Sequence, residues 1–132
     1  MSKKIVGIGF LLAFAFMLTI SGCTKTTSVI IDNSPAVTGT VSFAKDLQPI
    51  LTKTCATSGC HSGSVSPNLS ESNAYVALTG GKLINTAIPE SSDMYLWITG
   101  KRSPAMPLGG ANNPSNLNAI MLAWIKQGAK NN

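Results

Sequence analysis

The sequence predicts a small all-α domain, and three observations predict it. Apolar residues recur at helical spacing in four separate stretches, most clearly Leu117, Ile120, Met121, Trp124 and Ile125 at i, i+3, i+4, i+7 and i+8. Nothing in the body of the chain alternates apolar and polar residues as a half-buried strand does; only the short Val29-Ile30-Ile31 reads that way. The length, 132 residues of which the first 22 read as a removable leader, leaves room for one domain with one small core.

The leader comprises residues 1–22. Lys3 and Lys4 precede an apolar run from Ile5 to Ile20, which is short for a membrane span, and Ser21-Gly22 then lead to Cys23. The segment Ile20-Ser21-Gly22-Cys23 resembles the bacterial lipobox, which implies cleavage before Cys23 and acylation of that cysteine. A plain signal peptide or an uncleaved anchor is the competing reading. Thr24, standing where Asp would retain such a lipoprotein at the inner membrane, leans the expected location toward the outer membrane. Residues 23–41 are rich in Thr and Ser with little periodicity, the composition of a flexible tether that cannot bury enough surface to fold. The folded domain is expected over 42–132.

Four helices are expected within it. In the first, Phe43, Leu47, Ile50 and Leu51 share a face, but Pro49 is tolerated only in a first turn. Either the helix starts near Asp46 or a short turn from Phe43 leads into it. The second spans Glu71 to Thr79, with Ser70 as N-cap and Gly80-Gly81 as its stop. The third starts at Pro89, a residue suited to the first helical position, and runs through Met94, Leu96, Trp97 and Ile98 until Gly100. The fourth follows Asn113-Pro114 and ends after Lys126, where Gly128 terminates it. So small a helical domain has limited core, and a bulky apolar cofactor at its centre would add buried area.

The segment Cys55-Ala56-Thr57-Ser58-Gly59-Cys60-His61 offers such a cofactor a site. Two-point covalent haem attachment needs two thiols, each able to add to a vinyl group, and an imidazole directly after the second to face the iron. Four residues separate the cysteines where two are usual. The extra ones are small, and Gly59 can adopt backbone angles closed to other residues. With Cys23 assigned to the lipobox, the other two cysteines flank the motif, and His61 is the only histidine in the chain. Two alternatives remain at this point. A Cys55–Cys60 disulfide suits an oxidising compartment but leaves His61 idle; zinc would need a fourth donor that no other Cys or His supplies.

A second axial ligand must then be a methionine. Met121 belongs to the stripe of the last helix and Met94 to the start of the third, so core packing accounts for both. Met106 lies in Ser103-Pro104-Ala105-Met106-Pro107-Leu108-Gly109-Gly110, an apolar side chain on a proline-stiffened loop, and is the expected ligand; the bland reading is a methionine filling a gap in the core. His/Met ligation would raise the potential and leave no open position for substrate. The Pro67 carbonyl is within reach of His61 in sequence and is the expected acceptor for its other ring nitrogen. Tyr75, Tyr95, Trp97 and Trp124 are candidates for the pocket wall, or plain core.

Charge names no partner. Ten basic against five acidic residues become eight against five without Lys3 and Lys4, and beyond Lys101-Arg102 no basic cluster forms the stripe that nucleic acid requires.

Taken together, Phe43-x-x-Asp46-x-x-Pro49-Ile50-Leu51 leading to Cys55 and Cys60-His61, then Tyr75 with Leu78-Thr79-Gly80, Pro89-Glu90-Ser91-Ser92, Met106-Pro107 and Trp124-Ile125-x-x-Gly128-Ala129, resemble the c-type cytochrome domains of bacterial lipoproteins. The likeness is nearest to those grouped as planctomycete-type cytochrome c and common in Bacteroidota, from which the four-residue cysteine spacing departs. It implies a cytochrome c-like fold, one haem c on Cys55 and Cys60, axial ligands His61 and Met106, and electron transfer outside the cytoplasm with a redox protein as partner. That function is not enzymatic; a small haem enzyme ranks lower, because the only histidine is already used. The alternative is a haem-free, disulfide-stapled structural or binding lipoprotein.

Overall fold

Pro49 shapes the start of the first helix. In the computed structural model, which describes residues 36–108 and 116–132, Phe43–Leu47 forms one wide turn whose Phe43 carbonyl accepts from the Gln48 N–H five residues on. Helix α1 (Gln48–Thr54) follows, with Pro49 in its first turn. A proline has no N–H, and its ring crowds the carbonyl four residues back, so an unbroken α ladder cannot run from Phe43; widening one turn resolves the conflict. Of the two expected arrangements, the turn leading into a helix is the one adopted. Ser42 opens it: its Oγ accepts from the Lys45 N–H at 3.2 Å, while its own N–H donates to Asp46 Oδ2 at 2.7 Å.

Helix α2 (Ala74–Thr79) starts three residues later than Glu71, where it was expected. The Ser70 carbonyl accepts from the N–H groups of both Asn73 and Ala74, making a turn, and Ser70 Oγ accepts from the Asn73 side-chain amide rather than capping a backbone donor. Local side-chain bonding of this kind competes with helix. The third helix is also shorter than its pattern. Pro89–Ser91 is a single 3-10 turn, Ser92 is extended (ψ 128°), and α3 covers Asp93–Ile98. Ser92 is fully buried and its Oγ accepts from the Asn85 N–H at 2.9 Å, a bond to the preceding loop that sequence periodicity does not register.

Helix α4 (Leu117–Lys126) has the expected extent and packs on the wide turn, the 3-10 turn and α3. Its end is closed by a pair of bonds, Gly128 N–H to the Ile125 carbonyl and Ala129 N–H to the Trp124 carbonyl, with Gly128 in the left-handed region at φ +92°. A Cβ at Gly128 would meet no atom within 4 Å, so its cost is conformational alone. Gly128→Ala is therefore expected to destabilise the domain by about 1 kcal/mol, read from the urea midpoint at unchanged slope.

Leu47, Leu51, Leu78, Leu117, Met121, Trp124 and Ile125 form a fully buried core. At one end of it Trp124 packs against Phe43 (ring centroids 5.2 Å) and Tyr75 (6.3 Å). The incoming chain is fastened to the same end: Gln127 bonds the Val41 N–H and the Gly39 carbonyl, and Asn132 Oδ1 accepts from the Phe43 N–H at 2.9 Å. Val41, on the tether side of the expected boundary, is buried. No strand occurs among the described residues, so the described fold is all-α, and none of its helices is long and apolar enough to cross a membrane. The leader, Cys23, Val29-Ile30-Ile31 and Asn113-Pro114 lie outside the described residues.

Candidate functional site

Helix α1 delivers Cys55 at its C-terminus. The Leu51 carbonyl accepts from both the Cys55 N–H (2.9 Å) and the Ala56 N–H (2.8 Å), which ends the helix. The four intervening residues then fold back rather than extend: the Cys60 N–H donates to the Thr57 carbonyl at 3.0 Å, Gly59 takes φ +80°, and the His61 N–H returns to the Cys55 carbonyl at 3.1 Å. The longer spacing is thus absorbed in one closed loop, with the conformation expected of Gly59. Both cysteines are free thiols, Cys55 half-buried and Cys60 exposed. Burial pushes the Cys55 thiol up; a hydrogen bond with Thr54 partly offsets this, and neighbouring Cys60 adds a smaller upward push.

His61 is held at three points. Its carbonyl accepts from the Leu69 N–H at 2.7 Å, its N–H is the one just given to Cys55, and its ring Nδ1 lies 3.0 Å from the Pro67 carbonyl. A carbonyl only accepts, so Nδ1 is the donor, which in the neutral ring leaves the lone pair on Nε2. This is the acceptor expected from the sequence, and it sets the tautomer that a ligand bonding through Nε2 requires.

Met106 is brought in from α3. Beyond that helix the Lys101 and Arg102 N–H groups both donate to the Leu96 carbonyl, and the Met106 N–H donates to the Trp97 carbonyl at 3.0 Å. The Arg102 guanidinium lies over the Trp97 ring at 5.2 Å and pairs with Asp93 at 2.6 Å, bracing the same turn. The pair is partly exposed, so its ionic share is about 1 kcal/mol or less.

Cys55, Cys60, His61 and Met106 all line one cavity of about 400 Å³, a size typical of ligand sites. Most of the remaining wall is apolar, with Leu69, Leu83, Ile98 and Leu117 facing in. Of the four aromatic candidates only Trp97 lines it; Tyr75 and Trp124 belong to the cluster with Phe43 at the other end of the core. Met94, which the sequence assigned to core, is indeed buried, yet it also faces the cavity. Met94, Trp97 and Ile98 stand at i, i+3 and i+4 on one face of α3, a spacing that signals an inward face without telling core from cavity wall. Leu83 and Val65 carried no such signal. Among the described residues no three His, Cys, Asp or Glu side chains stand close enough together to form a metal-ion cluster.

Compared with protein-family models, curated proteins and solved structures, the chain matches none.

Proposed function

We propose that this protein is a membrane-tethered monohaem c-type cytochrome that carries electrons outside the cytoplasm. The observation that carries the reading is the convergence of both thiols, the sole imidazole and a loop thioether on one apolar cavity, with His61 Nδ1 tied to Pro67. The residues fit the group. Cys55 and Cys60 would hold it by thioether bonds, His61 Nε2 and Met106 Sδ would be the axial donors, and the apolar wall would exclude water. Haem supplies a reversible one-electron change at iron. The chain's part is to fix the donors: Pro67 orients the imidazole and makes it a stronger donor, and the bond from Met106 to Trp97 sets the thioether loop. With His61 and Met106 both holding the group, no position would be left for substrate, which favours electron transfer over catalysis. Acylated Cys23 would anchor the domain to the cell envelope, on the outer membrane by the reading of Thr24, and the segment before Gly39 would hold it off the surface.

The test is expression of the full precursor with haem c maturation proteins, followed by denaturation in acid and detergent. The expected result is haem that remains on the polypeptide at one per chain. A chain free of haem after denaturation, with Cys55 and Cys60 joined as a disulfide, overturns the reading in favour of the haem-free alternative.

A further inference from the structure

We propose that Met94 is a second axial donor of this cavity, taking the distal position when Met106 leaves it. This rests on the haem reading above and goes beyond it, because one distal position is served by two thioethers. Both methionines line the cavity, whereas Met121 is buried in the core away from it. Both also belong to one wall. Met94 lies in α3, and Met106 is hydrogen-bonded to the carbonyl of Trp97 in the same helix; His61 comes from the separate connection between α1 and α2.

The two are held differently. Met94 is fixed by helix geometry, its N–H donating to the carbonyl of Leu83, itself on the cavity wall, at 3.1 Å, and it is 6% exposed. Met106 is half-buried on a loop, followed by Pro107 and the strongly exposed Leu108. Loops open locally at lower free-energy cost than packed helices, so Met106 is the donor that leaves first. A methionine side chain has three rotatable bonds and a polarizable sulfur, so a thioether already on the cavity wall can be re-aimed by side-chain rotation. Exchanging one thioether for another keeps the donor class, so the iron would remain closed to outside ligands while the loop is open.

The test uses the haem-loaded full chain as wild type, Met106→Ala, Met94→Leu and the double variant, leucine being chosen because it conserves core volume. Haem retained on the denatured chain is measured first, and its absence from wild type is failure of the haem reading. With haem present, the far-red band of methionine-ligated ferric haem is expected in wild type and both single variants, and is lost only in the double. Imidazole should bind Met106→Ala at least about tenfold more weakly than the double variant, because an internal donor competes. If Met106→Ala lacks the band and binds imidazole as tightly as the double, Met94 does not ligate and the proposal fails. It fails equally if Met94→Leu alone removes the band, since Met94 would then be the resident ligand.

Discussion

Cys55→Ala/Cys60→Ala is expected to leave no haem on the denatured chain, while each single variant keeps haem through one thioether. A single thioether leaves one vinyl group conjugated with the macrocycle, so the single variants should absorb at longer wavelength than wild type. Loss of the fold is a poor explanation for such a result. Cys60 is exposed and Cys55 half-buried at a helix end, and neither side chain belongs to the fully buried set. Substitutions at such sites change stability by about 0.5 kcal/mol or somewhat more. The loop between them is closed by backbone bonds from Cys60 to Thr57 and from His61 to Cys55, which alanine preserves. Far-ultraviolet circular dichroism of the double variant should therefore retain helix. Haem surviving denaturation in the double variant would remove these cysteines from the site.

Trp124→Ala is the change with the largest expected effect on stability. The side chain is completely buried, its ring packs on Phe43 and Tyr75, and its Nε1 donates to the Lys130 carbonyl at 2.8 Å. Emptying such a site costs about 3–5 kcal/mol, and the bond to Lys130 adds about 1 kcal/mol. Domains have only about 5–15 kcal/mol in total, and one this small lies near the lower end. Most of the stability is lost, and with it the anchorage of residues 128–132 against the turn at Phe43. Trp124→Phe keeps an aromatic contact and forfeits the hydrogen bond, so it should cost less than half as much. Urea unfolding of the three proteins at the same haem content decides it, and a cost below about 1 kcal/mol for the alanine variant would contradict the packing described.

The parts of the site that could be read along the chain are those set by local chemistry. Cys55, Cys60 and His61 lie within seven residues of one another in sequence, and a proline carbonyl six residues beyond the histidine lies within its reach. The bond from His61 Nδ1 to Pro67 at 3.0 Å is where that local expectation and the structure meet. Met94 was assigned to core because helical periodicity reports only that a side chain faces inward. It does not distinguish a wall packed on other side chains from one lining a cavity.

The all-α class and the end of α4 were determined by the sequence alone. The i, i+3, i+4 stripe of Leu117 to Ile125 and the glycine at 128 are short-range patterns, and short-range backbone physics suffices to read them. The pairing of Ser92 with Asn85, which breaks the helix expected from Pro89, was decided only by tertiary structure. So was the meeting of Met106 with the cysteine loop in one cavity, across 46 positions from Cys60. These depend on which buried polar group finds which partner and on how α3 lies against the rest of the core. Such long-range choices leave no periodic trace in the chain that makes them.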